Sequence, residues 1–82
     1  MRYTVSWDES AQDELARIWM RASDRKAVER ASNEIDHHLR FRPLGVGAED
    51  GEDRRFTVLP PQVLYNVSPD DCRVRVLFVW SV

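Results

Sequence analysis

Cysteine is nearly missing from this chain, with Cys72 alone among 82 residues. That excludes an internal disulfide framework and any cysteine-built metal cluster, and leaves Cys72 as an inert, partly buried thiol at the mouth of a turn. No run approaches the roughly 18 apolar residues that a membrane-spanning helix needs. The opening Met1-Arg2-Tyr3-Thr4-Val5-Ser6-Trp7 alternates, and lacks the apolar block of a signal peptide. A soluble cytosolic protein with no membrane partner is the expectation. Lysine is reduced to Lys26 against eleven arginines, and the formal charge is −2. The chain therefore lacks the positive excess that draws a protein to nucleic acid over long range. Histidine occurs only as His37-His38, and the three glycines, Gly45, Gly47 and Gly51, fall in a single stretch.

What is present suffices for one core. Hydrophobic residues make up 43%, including three Trp, three Phe and two Tyr, and the 32% of charged residues are mixed in sign, which argues against disorder. Residues 1–82 read as a single domain, of a size that buries about 60–65% of its unfolded surface. Tyr3, Val5 and Trp7 share one face of a first strand, with Arg2, Thr4 and Ser6 on the other. Asp8 is placed to cap a following helix, with Glu9 and Asp13 adding negative charge near its N-terminus. Ala11, Leu15, Ile18, Trp19 and Ala22 form that helix's apolar stripe. Ser23-Asp24 breaks it and caps a second, whose stripe is Ala27, Val28, Ala31, Ile35, His38 and Leu39. Pro43 ends the second helix. The stretch 44–53, rich in glycine and acid, reads as an exposed, mobile loop.

Three closing strands follow, Arg54–Leu59, Val63–Val67 and Arg73–Val82, each rich in β-branched and aromatic residues and bounded by turn formers. The fold class is α+β, in the order β-α-α-β-β-β, with a helical hairpin packed on one face of an antiparallel sheet. Strict alternation assigns Val74, Val76, Phe78, Trp80 and Val82 to the helix-covered face. It leaves Arg73, Arg75, Leu77, Val79 and Ser81 on the opposite one. The last strand is apolar on both faces, which favours an interior position.

Val5-Ser6-Trp7, Ser10-Ala11-Gln12-Asp13-Glu14-Leu15, Ile18-Trp19, Pro43-Leu44-Gly45, Arg55-Phe56, Tyr65-Asn66-Val67 and Val74-Arg75-Val76-Leu77-Phe78-Val79 succeed one another in an order that resembles the RelE/ParE superfamily of bacterial toxins. The resemblance spans nearly the whole chain and implies the toxic half of a type II toxin–antitoxin pair. Its partner would be a cognate antitoxin that wraps the toxin with an extended or helical segment. DNA would be bound by that antitoxin and not by this chain. RelE-like members cut messenger RNA on the ribosome, and ParE-like members poison DNA gyrase.

Cleavage of RNA by its own 2′-hydroxyl needs a base, cations on the phosphorane and an acid for the leaving oxygen. The resemblance places basic residues on the second strand, an arginine at the start of the third, and basic plus aromatic or histidine residues after the fourth. Here the second strand offers Arg54 and Arg55, with Thr57 next on the face of Arg55, and the third opens on neutral Gln62. The sequence given stops at Val82, directly after the last strand. His37 and His38 belong to the end of the second helix, where adjacent residues face different ways; a helix-end role is expected of them, and no metal or other cofactor is implied. The catalytic set is expected to be incomplete, with Arg55, Arg73 and Arg75 its only candidates.

Three readings follow. One is a toxin acting by protein binding, ParE-like or otherwise non-nucleolytic, with the antitoxin held on Arg73, Arg75, Leu77 and Val79. The second is a ribosome-dependent endoribonuclease using Arg55, Arg73 and Arg75 as phosphate contacts. The third is a non-toxic interaction module.

Overall fold

In the computed structural model, which describes residues 2–81, the first alternating run forms β1 (Thr4–Trp7). It feeds α1 (Glu9–Arg21) and, after a short turn, α2 (Arg25–Phe41). The expected stripes are the ones buried: Ala11 and Ile18 on α1, and Val28, Ala31, Ile35 and Leu39 on α2. Ile35 and Leu39 have no exposure at all, and burial of such a side chain contributes about 1.5–3 kcal/mol. Asp24 caps α2 as expected, accepting from the Ala27 amide at 3.1 Å. Asp8 does not cap α1 with its side chain; its carboxylate goes elsewhere, as described below. His38 is half-buried and meets the Phe56 ring edge-on at 5.8 Å, while His37 packs on Phe41 at 5.0 Å.

Stretch 44–53 is more ordered than its composition predicts. It contains β2 (Ala48–Asp50), which turns at Gly51-Glu52 and pairs antiparallel with β3 (Asp53–Thr57). β4 (Pro61–Ser68) and β5 (Arg73–Ser81) complete one sheet in the order β1-β5-β4-β3-β2. A single 3₁₀ turn, Pro69–Asp71, joins the last two strands and passes through half-buried Cys72 in a left-handed conformation at φ 50°. The α+β architecture is thus the expected one, with two corrections. There is an extra edge strand, and the sheet is mixed, because β1 pairs parallel with β5. β5 is interior, held by β1 on one side and β4 on the other.

The faces of β5 also differ from strict alternation. Its register against β4 runs Leu64↔Phe78 and then Tyr65↔Val76, so Leu77 is an extra residue, a β-bulge. One inserted residue reverses the faces of everything beyond it. Val74 and Val76 stay in the core, and Val79 joins them at 5% exposure. Phe78 turns outward and is 59% exposed. Val79 is therefore not on the open face to which alternation assigns it, and Phe78 is not under the helices. Trp80, two residues beyond Phe78, shares its side, opposite Gln62. Val82 lies outside the described residues.

Tyr65 is the largest fully buried side chain of the sheet. Its hydroxyl donates to the Pro43 carbonyl at 2.7 Å and lies 3.1 Å from that of Val46, which fixes the chain leaving α2 to the sheet. Arg54, opposite Tyr65 on the helix side, adds a guanidinium bond to the Val46 carbonyl at 3.0 Å. Gly47 occupies the gap at φ +69°, where a Cβ would sit 2.5 Å from the Arg55 carbonyl oxygen. Only glycine fits there without displacing β3.

Two stability predictions follow from this corner. Tyr65→Phe strands the Pro43 carbonyl and should cost about 1–3 kcal/mol, a fall in melting temperature of at least about 4 °C for a domain of this size. Burial also pushes the Tyr65 hydroxyl above its ordinary 10.0, with Arg54 offsetting part of the rise. A raised phenol favours the folded state while it is protonated. That stability is complete below 10.0 and fades as pH climbs through the folded value. Denaturant melts carried above pH 10.0 should show this loss in the parent and not in Tyr65→Phe. Gly47→Ala should destabilise by about 1–3 kcal/mol through backbone strain alone, measurable in the same melts.

Candidate functional site

The helices cover one face of the sheet and leave the other uncovered. In an antiparallel or parallel ladder directly paired residues share a face, so the register places every side chain of the open face. Thr4 and Ser6 come from β1, and Arg73, Arg75, Phe78 and Trp80 from β5. Gln62, Leu64, Asn66 and Ser68 come from β4, and Arg55 and Thr57 from β3. The fold thus brings Arg55, Arg73 and Arg75 together on one surface, with Thr57 on the face of Arg55. Arg54 is turned away from it and lies with its side chain 17% exposed among the carbonyls behind β3. Arg54 Nε is buried without a partner among the described residues. Arg54 is a structural cation and not part of this surface.

The electrostatics of the open face are set by internal carboxylates. Arg75 grips Asp8 in a two-point fork, Nε to Oδ1 at 2.6 Å and Nη2 to Oδ2 at 3.0 Å. This is the geometry in which guanidinium and carboxylate bind most strongly. It explains why Asp8 leaves the α1 amides uncapped: strand pairing brings Ser6 opposite Arg75, and the charged guanidinium donor wins the carboxylate from the helix-end amides. Arg55 is held by Asp50 across the β2–β3 pair. Asp53 accepts from the Asn66 amide at 3.1 Å. Arg73 alone of the three has no ion-pair partner among the described residues.

Leu77, the bulge residue, is half-buried. Of the four residues expected to form a partner surface, Arg73 and Arg75 are exposed on the open face, Leu77 borders it, and Val79 is in the core. Sequence reasoning missed Phe78, and also Leu64 and Trp80. The only sequence signal was a last strand apolar at too many consecutive positions, Val76 to Trp80, for one face to absorb. Among the described residues no group of three or more His, Cys, Asp or Glu could hold a metal ion.

A second uncovered feature is an open groove of about 600 Å³ between the helices, with Trp7, Leu15, Ala16, Trp19 and Val28 along its floor. Trp19 is fixed there by a 3.2 Å bond from its indole N–H to Glu29 and by the Arg25 guanidinium 4.5 Å above its ring. No helix of the described residues is long and apolar enough to cross a membrane.

The fork with Arg75 holds the Asp8 carboxyl below its ordinary 3.8, and raises the guanidinium of Arg75 in turn. A carboxylate depressed in the folded state contributes stability above its ordinary value and loses it as pH falls through the folded one. NMR titration should find the Asp8 midpoint below 3.8 in the parent. In Arg75→Gln it should return to the ordinary carboxylate range, while the fold persists.

No protein-family model matches the sequence, and no curated protein matches it. Solved structures do. A chain of the RelBE2 toxin–antitoxin complex from Mycobacterium tuberculosis superposes with a TM-score of 0.80 at 17% identity, covering 100% of this chain and 93% of that one. A chain of the chromosomal ParDE toxin–antitoxin system of P. aeruginosa gives 0.78 at 17% identity, covering 99% and 97%. The isolated E. coli RelE toxin gives 0.68 at 15% identity, covering 98% and 84%. Both RelE and ParE chains superpose over most of their length: this chain has the fold of the RelE/ParE toxins.

Proposed function

We propose that this chain is the toxin component of a toxin–antitoxin pair that acts by binding protein rather than by cutting RNA, and that a cognate antitoxin neutralises it. The observation that carries the non-nucleolytic reading is the state of the open-face arginines. Two of three are already neutralised by Asp8 and Asp50, and Gln62 is neutral where the ribonuclease pattern wants a cation. Neither histidine reaches that face: they pack on Phe41 and Phe56. A surface with no histidine among its described residues, whose carboxylates are engaged by Arg75, Arg55 and Asn66, is poorly equipped for phosphoryl chemistry and well suited to selective docking. An antitoxin partner is supported by the likeness to chains from RelBE and ParDE complexes. Arg73, Arg75 and Leu77 remain the proposed contacts on the sheet. The inter-helix groove offers an apolar floor to a helical segment. The protein would act in the cytoplasm.

The ribosome-dependent endoribonuclease is the second reading, favoured by one feature: Phe78 and Trp80 share a face with Arg73 and Arg75, and aromatic rings beside arginines suit a single RNA strand.

Inducing the gene alone in a bacterial host separates the readings. Growth should arrest with messages intact and, for a gyrase-directed toxin, with DNA repair induced. Co-expression of the protein encoded beside it should restore growth. Messages cut within codons would overturn the proposal in favour of the ribonuclease. Unimpaired growth, with no binding by the neighbouring protein, would leave an interaction module of this fold.

A further inference from the structure

β5 exposes a residue that its alternation would bury. The bulge at Leu77 turns Phe78 onto the open face, directly opposite Leu64 and two residues from Trp80. Bulges of this kind re-aim side chains next to functional surfaces, and the result here is an apolar patch at one end of the open face. Toward the other end of the same strand stands Arg73, the one open-face arginine without a carboxylate partner among the described residues. With one residue absorbed by the bulge, patch and cation lie about four strand positions apart, roughly 13 Å.

We propose that this half of the open face is a docking track for an extended acidic–apolar polypeptide segment. It would seat a bulky apolar side chain on Phe78, Leu64 and Trp80 and a carboxylate on Arg73, the two residues being four apart in the docking segment. The inference rests on the reading of this chain as a partner-bound toxin and supplies the chemistry of the partner's segment. Charge selects the occupant. Arg75, two residues along the same strand from Arg73, already binds a carboxylate side-on, so the surface is built to recognise that group. A polyphosphate chain would need several free cations and would meet Asp8, Asp50 and Asp53 along the same face. A single carboxylate at Arg73 avoids all three. An extended segment also carries same-face side chains at even spacing, which a separation of four satisfies.

Fluorescence anisotropy with short labelled peptides tests this. One probe is an alternating Thr/Val peptide with Phe at one position and Asp four residues on; a second has Lys for Asp; a third is a single-stranded RNA of similar length. The intact protein should bind the Asp peptide about tenfold more tightly than the Lys peptide. Arg73→Glu should invert that preference, Arg73→Lys should keep it, and Phe78→Ser should weaken both peptides about tenfold. Both sites are exposed, so circular dichroism of the variants should match the parent. Absence of peptide binding, or binding indifferent to charge and to Phe78→Ser, would overturn the inference. So would RNA binding that Arg73→Glu abolishes, or self-association in sedimentation that Phe78→Ser abolishes. The protein encoded beside the gene distinguishes this inference from the reading beneath it. Its capture by the parent and equally by Arg73→Glu and Phe78→Ser removes the track and leaves the toxin. Peptide recognition with no bound neighbour removes the toxin reading and leaves the track.

Discussion

Parallel pairing of β1 with β5 is what the remaining geometry depends on, because it ties the first strand of the chain to the last. Thr4 sits opposite Arg73 and Trp7 opposite Val76. Parallel neighbours cannot be joined by a hairpin and need a crossover. Here the crossover is the helical hairpin and every other strand of the sheet. α1 begins two residues after β1 and packs back on β5, which commits both helices to one face. The same pairing puts Asp8, the residue between strand and helix, beside the middle of β5. Its amide donates to the Val76 carbonyl at 2.9 Å, and its carboxylate closes on Arg75. Asp8 is therefore both the hinge into α1 and the counter-ion of the open face. A helix cap is given up for it, which costs about 1 kcal/mol in ordinary helices.

Much of this was legible in the sequence, and what escaped has identifiable causes. Helix stripes obey a period that tertiary structure reinforces, so Val28, Ala31, Ile35 and Leu39 read true. A strand's faces are more fragile, because one inserted residue inverts all that follows. Val74 and Val76 were assigned correctly, and Phe78 and Val79 were not, since nothing local in Leu77-Phe78-Val79 announces a bulge. Strand direction was equally hidden. The alternation of Tyr3, Val5 and Trp7 fixes a face and says nothing about which neighbour the strand takes or in what sense. Ala48-Glu49-Asp50 has the composition of a loop, and becomes a strand only because β3 lies beside it.

The two sheet edges narrow how a partner can approach. β2 is short, fully exposed and carries Glu49 and Asp50, the kind of charged stub that discourages edge-to-edge pairing. At the other edge, the Tyr3 amide is already given to the Arg40 carbonyl at 2.7 Å, so β1 is partly sealed by the end of α2. With one edge charged and the other partly capped, the uncovered surfaces are the open face and the inter-helix groove. They differ in character. The groove is apolar with a clamped tryptophan in its lining, and the face is a patchwork of opposite charges around Phe78.

That patchwork bears on how the proposed docking surface can be selective. An exposed phenylalanine alone would be indifferent to its partner, because apolar contact has no direction. Three arginines alone would attract any anion. Holding Arg75 with Asp8 and Arg55 with Asp50 cancels most of that field and leaves Arg73 as the one open-face arginine with no ion-pair partner among the described residues. The pairs are exposed, so each contributes little to stability on its own. What they do is exclude: a polyanion meets three carboxylates, and a basic segment meets Arg73. On the proposed docking track, selectivity would therefore come from charges that are already satisfied, in the manner of interfaces that discriminate by rejecting the wrong partner as much as by attracting the right one.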